Sequence, residues 1–480
     1  MHELSPQQLM TPSARSNFAM LTGSAYISVK AFAVDRLKFG KDYSAIAGSL
    51  AESQWLSEGD LKSLQNEKLR VLVRHAFETV PYYRNLFDSL HLRPDDVRTV
   101  DDLQKLPLLT KTDLRAQPDA FISRQTNPTF LHSGWTTGST GMPINVPRDK
   151  KSIAFESAMI WRQRGWAGVS SRDRKAAIWG TIWSDVIVPV SYRRPPYWRY
   201  NVTDRQLLFS YYHMSERTLP LFLRRLEAFR PSSIEGFPST LLLVARFMER
   251  QRIIIPLKAV FTSSERLFDV HREVIERQFA CKVFDLYGQS ERVSAATECE
   301  AHQGLHVNPE YGITEILKNG EEARPGEMGE IVGTGLNNFA VPLLRYRTGD
   351  IAVPAPGKCP CGRAMNLLKY VEGRNADLIE TPDGFVVPGN GLMMALHSVE
   401  NINRSQIVQD AVDHITVRIV PEDPGKPLNV ATLVRNLSQC VGEGLHIDVT
   451  TAETIEHEGH AKFRWVVSKV HREPKEFSPG

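Results

Sequence analysis

Lys282-Val283-Phe284-Asp285-Leu286-Tyr287-Gly288-Gln289-Ser290-Glu291 reads as a β-prone run that opens into a polar loop. The same strand-to-loop pattern occurs at Ala259-Val260-Phe261-Thr262-Ser263-Ser264-Glu265. Short β-prone runs alternating with helical stretches predict an α/β fold, a multilayer α+β arrangement of mixed sheets and helices. In open α/β sheets ligands lie beyond the carboxyl ends of the strands, so the loops ending in Glu265 and Glu291 are where chemistry is expected.

Working outward, Ala176–Trp179 and Val186 to Val190 are further candidate strands. The basic and aromatic text from Tyr192 to Tyr200 is broken by Pro195-Pro196 and reads as a lid or a pocket wall rather than a nucleic-acid platform. Ser215 is a candidate cap for a helix burying Leu219, Leu223 and Leu226, and Ser239 for one burying Leu241, Val244, Ala245 and Met248. The first 130 or so residues look mostly helical; Leu61, Leu64, Leu69, Leu72 and Ala76 share one helical face, and Val80-Pro81 ends that run. Gly329 to Thr334 and Leu344 to Asp350 suggest a small β-rich layer, and Gly357-Lys358-Cys359-Pro360-Cys361-Gly362 a tight knuckle. Beyond Gly373 to Asp377 a βαβ-like pattern follows: Ile415 to Val420, a helix from Val430 to Cys440, then Phe463 to Val467. We therefore expect a large N-terminal domain over 1–375 and a small C-terminal domain over 376–480.

The 480 residues carry 58 basic and 55 acidic side chains, scattered, with a formal net charge of +3. That is not the one-sided basic face of a nucleic-acid binder. Met1 to Met10 is polar, no apolar run is long enough to cross a bilayer, and a cytoplasmic location is the expectation. Five cysteines in a chain of this size point to reduced thiols or a metal site rather than a disulfide framework.

Gly134-Trp135-Thr136-Thr137-Gly138-Ser139-Thr140-Gly141-Met142-Pro143 alternates Gly with Ser and Thr. Such a turn exposes backbone N–H groups and adds hydroxyl donors, the arrangement that holds phosphate oxygens. No Lys follows the second glycine, so it is not the loop of the common nucleotide triphosphatases, and charge compensation must come from elsewhere in the chain.

With this loop, Tyr287-Gly288-Gln289-Ser290-Glu291, Tyr346-Arg347-Thr348-Gly349-Asp350, Gly373-Arg374 and a late Lys462 in that order, the chain resembles the adenylate-forming ligases. The likeness is to the branch of phenylacetate-coenzyme A ligase and related capsular-polysaccharide proteins, and Pro81-Tyr82-Tyr83, Lys105-Leu106-Pro107 and Gly236-Phe237-Pro238-Ser239 share it. The resemblance implies an ATP-dependent ligase. A carboxylate attacks the α-phosphate, pyrophosphate leaves, and a nucleophile, usually the thiol of coenzyme A, captures the acyl-adenylate. It implies that Thr136, Thr137, Gly138, Ser139, Thr140 and Gly141 hold the β and γ phosphates, that Glu291 is the Mg2+-associated carboxylate, that Tyr287 lies against adenine, and that Gly288 belongs to the cofactor-binding residues. Asp350 is implied to accept from the ribose hydroxyls, and Arg374 to lie near the nucleotide.

Lys462 is the implied mobile lysine that offsets the repulsion between carboxylate and α-phosphate. Aligning on Lys-Phe-Arg-Trp-Val selects Lys462, whereas aligning on Gly459 puts His460 there; a permanent cation suits the role better. Where relatives carry an acidic hinge residue after Arg374-Asn375, this chain has Ala376 and then Asp377. The family's small domain must rotate between its two steps, so the altered hinge bears on the second. The acceptor is therefore coenzyme A in the leading reading, and an amine, a hydroxyl or a carrier protein in the alternative. A non-catalytic nucleotide-binding relative is the third reading, although none of Lys462, Glu291 and Asp350 is lost. A homodimer is allowed as well.

Cys359 and Cys361 offer two thiolates, with Cys299 and His306 completing a tetrahedral Zn2+ site; similar text occurs in this branch. His302 in place of His306, or no metal, are the other readings. Cys281 and Cys440 read as small core residues. The expected acid pocket is walled by Trp179 to Thr181, Gly236 to Ser239 and Ser263 to Glu265, with Trp179 and Phe237 hinting at an apolar or aryl substrate.

Overall fold

Strands and helices alternate through the middle of the chain, and the helices there return the chain to the same parallel sheet. The computed structural model describes residues 14–135, 144–179, 195–210, 213–214, 217–372, 378–382, 386–388, 392, 395–396, 399–402, 404–442, 444–455 and 466–470. The opening segment is helical: α1 (Ala14–Lys38), α2 (Tyr43–Ser53), α3 (Glu58–Thr79) and α4 (Pro81–Ser89). Helix α3 starts at Ser57, whose side chain accepts from the Asp60 N–H, and its buried face includes Leu61, Leu69, Leu72 and Ala76. Pro81 at the first turn of α4 ends one helix and starts the next. A capping box pairs Thr110 with Asp113 at the head of α5 (Lys111–Ala116).

Helix α6 (Lys150–Trp166) leads into β1 (Lys175–Trp179). Next come β2 (Trp198–Asn201), β3 (Gln206–Ser210), α7 (Leu219–Phe229), β4 (Ser233–Gly236), α8 (Pro238–Arg250), β5 (Ala259–Ser263), α9 (Asp269–Phe279) and β6 (Lys282–Gly288). Strands β3, β1, β4, β5 and β6 lie side by side in parallel. Apolar faces of α7, α8 and α9 close over them, burying Leu226, Leu241, Phe279 and Val283 among others. Full burial of such side chains stabilises by about 1.5–3 kcal/mol each.

The sheet continues past β6 in antiparallel strands: β7 (Ala295–Glu298), β8 (Leu305–Val307), β9 (Gly312–Lys318), β10 (Glu321–Glu322), β11 (Gly329–Gly335), β12 (Tyr346–Pro354) and β13 (Leu367–Val371). Among the described residues it has thirteen strands, in the order β10-β9-β11-β12-β13-β8-β7-β6-β5-β4-β1-β3-β2. Two small sheets follow. One pairs β14 (Leu378–Glu380) with β15 (Val386–Pro388). The other orders β18 (His446–Thr451), β17 (His414–Val420), β16 (Arg404–Ala411) and β19 (Val466–Ser468), with α10 (Val430–Val441) packed on it through Leu433 and Leu437.

Several expectations need correction. Trp198, Arg199 and Tyr200 are not loop: they form edge strand β2, with Tyr197 and Arg199 buried, because β3 supplies an antiparallel partner for their backbone. Helix α7 begins after Thr218, beyond Ser215, and α8 has Phe237 at its cap position, so Ser239 sits inside the first turn. The β16 and β18 strands of the small sheet were not foreseen. Cys281 and Cys440 are half-buried at core margins. The candidate strand Val186 to Val190 lies outside the described residues, as does the 375/376 junction.

Candidate functional site

The parallel topology brings the ends of β1, β4, β5 and β6 to one edge of the sheet. Gly236 to Ser239 and Ser263 to Glu265, two of the expected pocket walls, thus emerge beside one another, next to the end of β1, while Gly180 and Thr181 of the third lie outside the described residues. Glu265 Oε2 accepts from the Ser239 backbone N–H at 3.0 Å, holding the β5 exit against the head of α8. Burial pushes the Glu265 carboxyl above its usual range.

Beyond β6 the site gathers. The Tyr287 hydroxyl donates to Asp350 Oδ2 at 3.0 Å, joining β6 to β12 across the sheet. Burial and the Asp350 carboxylate push the Tyr287 phenol well up, so it stays a neutral donor. Glu291, in the turn after β6, is 5% exposed and accepts from the Tyr346 hydroxyl at 2.9 Å. Tyr346 and Asp350 both lie buried on β12, whose pairing with β11 is irregular between Arg347 and Ile351. Gly349 between them has φ +72°, and Asp350 N donates to Thr348 Oγ1 at 3.0 Å. Tyr287, Gly288, Glu291 and Asp350 are the residues the sequence nominates here, and the fold brings them together. Sequence reasoning missed Tyr346, although the Tyr-Arg-Thr-Gly-Asp text containing it was in view.

The flanks of the Gly/Ser/Thr loop form an antiparallel stem. His132 and Arg148 exchange backbone bonds at 2.9 Å, Val146 N donates to Gly134 O at 3.0 Å, and Gly134 N donates to Asn145 Oδ1 at 2.8 Å. Gly134 has to be glycine: a Cβ there would lie 2.4 Å from Val146 O and 2.5 Å from Arg148 Nε. Thr136, Thr137, Gly138, Ser139, Thr140 and Gly141 themselves lie outside the described residues, as do Arg374, Lys462 and the hinge residues Ala376 and Asp377.

Arg148 was also missed. Its side chain crosses Gly134 and its Nη2 donates to Ser290 O at 2.7 Å. Arg292 pairs with Glu156, and Tyr311 donates to Glu156 Oε1 at 3.4 Å. Among the described residues, Arg148 Nε and Arg292 Nε and Nη1 are buried without a hydrogen-bond partner. Burial and the neighbouring Arg292 charge make the Arg148 cation less favourable than usual, opposed by Glu156 and Glu291 nearby. Such a pair has no motif spacing, so only the tertiary structure discloses it.

The cysteines come together as expected. Sγ of Cys299, Cys359 and Cys361 and a ring nitrogen of His306 all lie within 4.8 Å of one another. Cys299 Sγ is 3.6 Å from Cys359 Sγ, and Cys361 Sγ is 3.4 Å from His306 Nε2. Tetrahedral zinc with ordinary bond lengths would separate two sulfurs by roughly 3.8 Å and a sulfur from a nitrogen by roughly 3.6 Å, so the donor set fits. Burial and Arg363 push His306 down to about 4, keeping the imidazole in its ligating neutral form. Arg363, stacked between Trp55 and Trp166, packs beside this knuckle and donates to Gln54 Oε1 and Glu300 Oε1. His302 turns away, its Nδ1 3.2 Å from Glu298.

Residues 379–469 match the CapK C-terminal domain family. The chain is 27% identical over 376 residues to Protein CapK of Staphylococcus aureus, covering 77% of this chain and 81% of that protein. It is 30% identical over 332 residues to phenylacetate-coenzyme A ligase of Pseudomonas putida, covering 66% of this chain and 72% of the relative. Among solved structures, 2-hydroxyisobutyryl-CoA ligase in complex with 2-HIB-AMP and CoA superposes with a TM-score of 0.57 at 18% identity, over 86% of this chain and 91% of that one.

Proposed function

We propose, from the premise that this chain belongs to the phenylacetate-coenzyme A ligase and CapK branch of the adenylate-forming enzymes, that it activates a carboxylic acid with ATP and passes the acyl group to coenzyme A. The observation that carries this reading is the joint placement of Tyr287, Asp350, Glu291 and Tyr346 at the carboxyl edge of the parallel strands.

In this mechanism Tyr287 lies against adenine, and Asp350 accepts from ribose hydroxyls. Thr136 to Gly141 cradle the β and γ phosphates with backbone N–H groups and hydroxyls, stabilising charge that moves onto departing pyrophosphate. Arg148, aided by Arg292, supplies the cation that a lysine-free loop lacks. Glu291, oriented by Tyr346, would hold Mg2+, which when bound neutralises phosphate charge. Lys462 approaches from the small domain over 376–480 to bridge the carboxylate and α-phosphate oxygens, with Arg374 near the nucleotide. Cys299, His306, Cys359 and Cys361 would hold a Zn2+ with no open coordination position, a brace rather than a reagent.

The test is pyrophosphate release with ATP and a panel of aryl and aliphatic carboxylic acids, each with and without coenzyme A, products followed by mass. Acid-dependent pyrophosphate with a thioester supports the reading. Adenylate without a thioester transfers support to an amine, a hydroxyl or a carrier protein as acceptor. Ala376 in place of an acidic hinge residue and the likeness to Protein CapK favour keeping that second reading.

A further inference from the structure

The small sheet carries a second cluster of metal-ligating side chains, remote in sequence from the cysteines. Strands β17 and β18 run parallel with His414 paired to His446 and Thr416 to Asp448. Alternation along a strand puts His446 and Asp448 on one face, and the pairing puts His414 beside them. Ile415 and Val417 point the other way, into the core beneath α10. The three polar side chains therefore stand on the face away from that core, half-buried for His414 and exposed for the other two.

Their geometry converges. The imidazoles stack at 5.6 Å between centroids with planes 22° apart. His414 Nε2 lies 3.0 Å from Asp448 Oδ2, and His446 Nε2 lies 3.2 Å from Asp448 Oδ1. Two ring nitrogens and a carboxylate, all within 4.8 Å of one another, thus face a common point. In the metal-free protein each contact needs a proton on the imidazole, shared with the carboxylate. A divalent cation would take the two Nε2 lone pairs and one carboxylate oxygen, each ring keeping its proton on Nδ1 and any second proton passing to solvent.

We propose that His414, His446 and Asp448 form a second cation site, selective for borderline first-row divalent ions such as Zn2+, Co2+ or Ni2+. Two imidazoles favour these ions over Mg2+ and Ca2+, which take oxygen ligands. Three protein ligands leave positions open to water or to an added donor, unlike the four-ligand cysteine cluster. The ligands come from two hydrogen-bonded strands, so the backbone holds most of the arrangement before any ion arrives. A bound ion would pin the start of β17 to the start of β18.

The test uses the full chain, stripped with a chelator and titrated with Co2+ and Zn2+ by calorimetry and visible absorption. The expected result is a cation equivalent without thiolate charge-transfer absorption, bound whether or not the cysteine cluster is filled. H414A and H446A should each weaken that equivalent at least tenfold, and D448N by a smaller factor, while any thiolate absorption persists. Circular dichroism in the presence of chelator verifies that these exposed substitutions leave the fold intact. Unchanged binding by folded H414A and H446A, or no equivalent beyond a thiolate-bound one, overturns the proposal.

Discussion

Arg148 Nη2 donates to the carbonyl oxygen of Ser290 at 2.7 Å, joining the stem around the Gly/Ser/Thr loop to the turn that carries Glu291. One guanidinium thereby ties the stem of the proposed phosphate loop to the turn that carries Glu291. Arg148→Met removes both that charge-assisted bond, worth about 1.5–3 kcal/mol, and a cation beside the loop. Acid-dependent pyrophosphate release should fall about 10- to 100-fold, with Arg148→Lys recovering part of it. Wild-type rates in Arg148→Met would remove this residue from the mechanism.

Lys462→Ala should suppress acyl-adenylate formation while ATP binding, followed calorimetrically, stays largely intact. His460→Ala is the matching control, since it tests the competing alignment. If His460→Ala loses adenylation and Lys462→Ala keeps it, the assignment passes to His460.

Zinc content and stability should move together at the cysteine cluster. Cys359→Ser should lower the zinc measured by mass spectrometry and shift the melting midpoint down by several degrees, whereas the half-buried Cys440→Ser should leave the zinc unchanged. Wild-type protein purified without chelator and still free of zinc would end this reading.

Asp285 predicts a pH effect. Burial raises its carboxyl from 3.8 to about 7, opposed by the Thr262 hydroxyl, which donates to it at 2.6 Å, and reinforced by nearby Glu298. The folded state therefore keeps a proton that the unfolded chain releases. Its stabilising contribution is full below pH 3.8 and lost progressively as pH rises to about 7. Asp285→Asn removes that slope. Denaturant midpoints should show the variant gaining on wild type by about 1–3 kcal/mol between pH 4 and 7. A constant difference across that range would mean that Asp285 does not titrate this way.

What the sequence disclosed was local chemistry. Pro81 marks a helix end because its signal is a single residue that acts on its own backbone. Tyr287, Glu291 and Asp350 were legible as candidates because the text around each is distinctive. Trp198 to Tyr200 were misread because edge pairing to β3 is a tertiary event that local composition does not encode. Likewise Arg148, Arg292 and Glu156 are scattered through 145 residues and meet only when α6, the loop stem and the Glu291 turn pack. The pairing of His414 with His446 was hidden for the same reason, since it depends on β18 being added beside β17 in one register.

The cysteine cluster also makes the protein vulnerable to oxidants. Cys299 and Cys359 sulfurs 3.6 Å apart need only a modest shift to reach the 2.0 Å or so of a disulfide, and such a bond would eject a cation from the four-ligand set. The damage would fall first on the brace between the turn after β7 and the knuckle before β13 rather than on a residue assigned to the chemistry. Inactivation by peroxide should therefore follow cation release rather than modification of the nucleotide site, and a thiol reductant supplied with zinc should restore what the reductant alone does not.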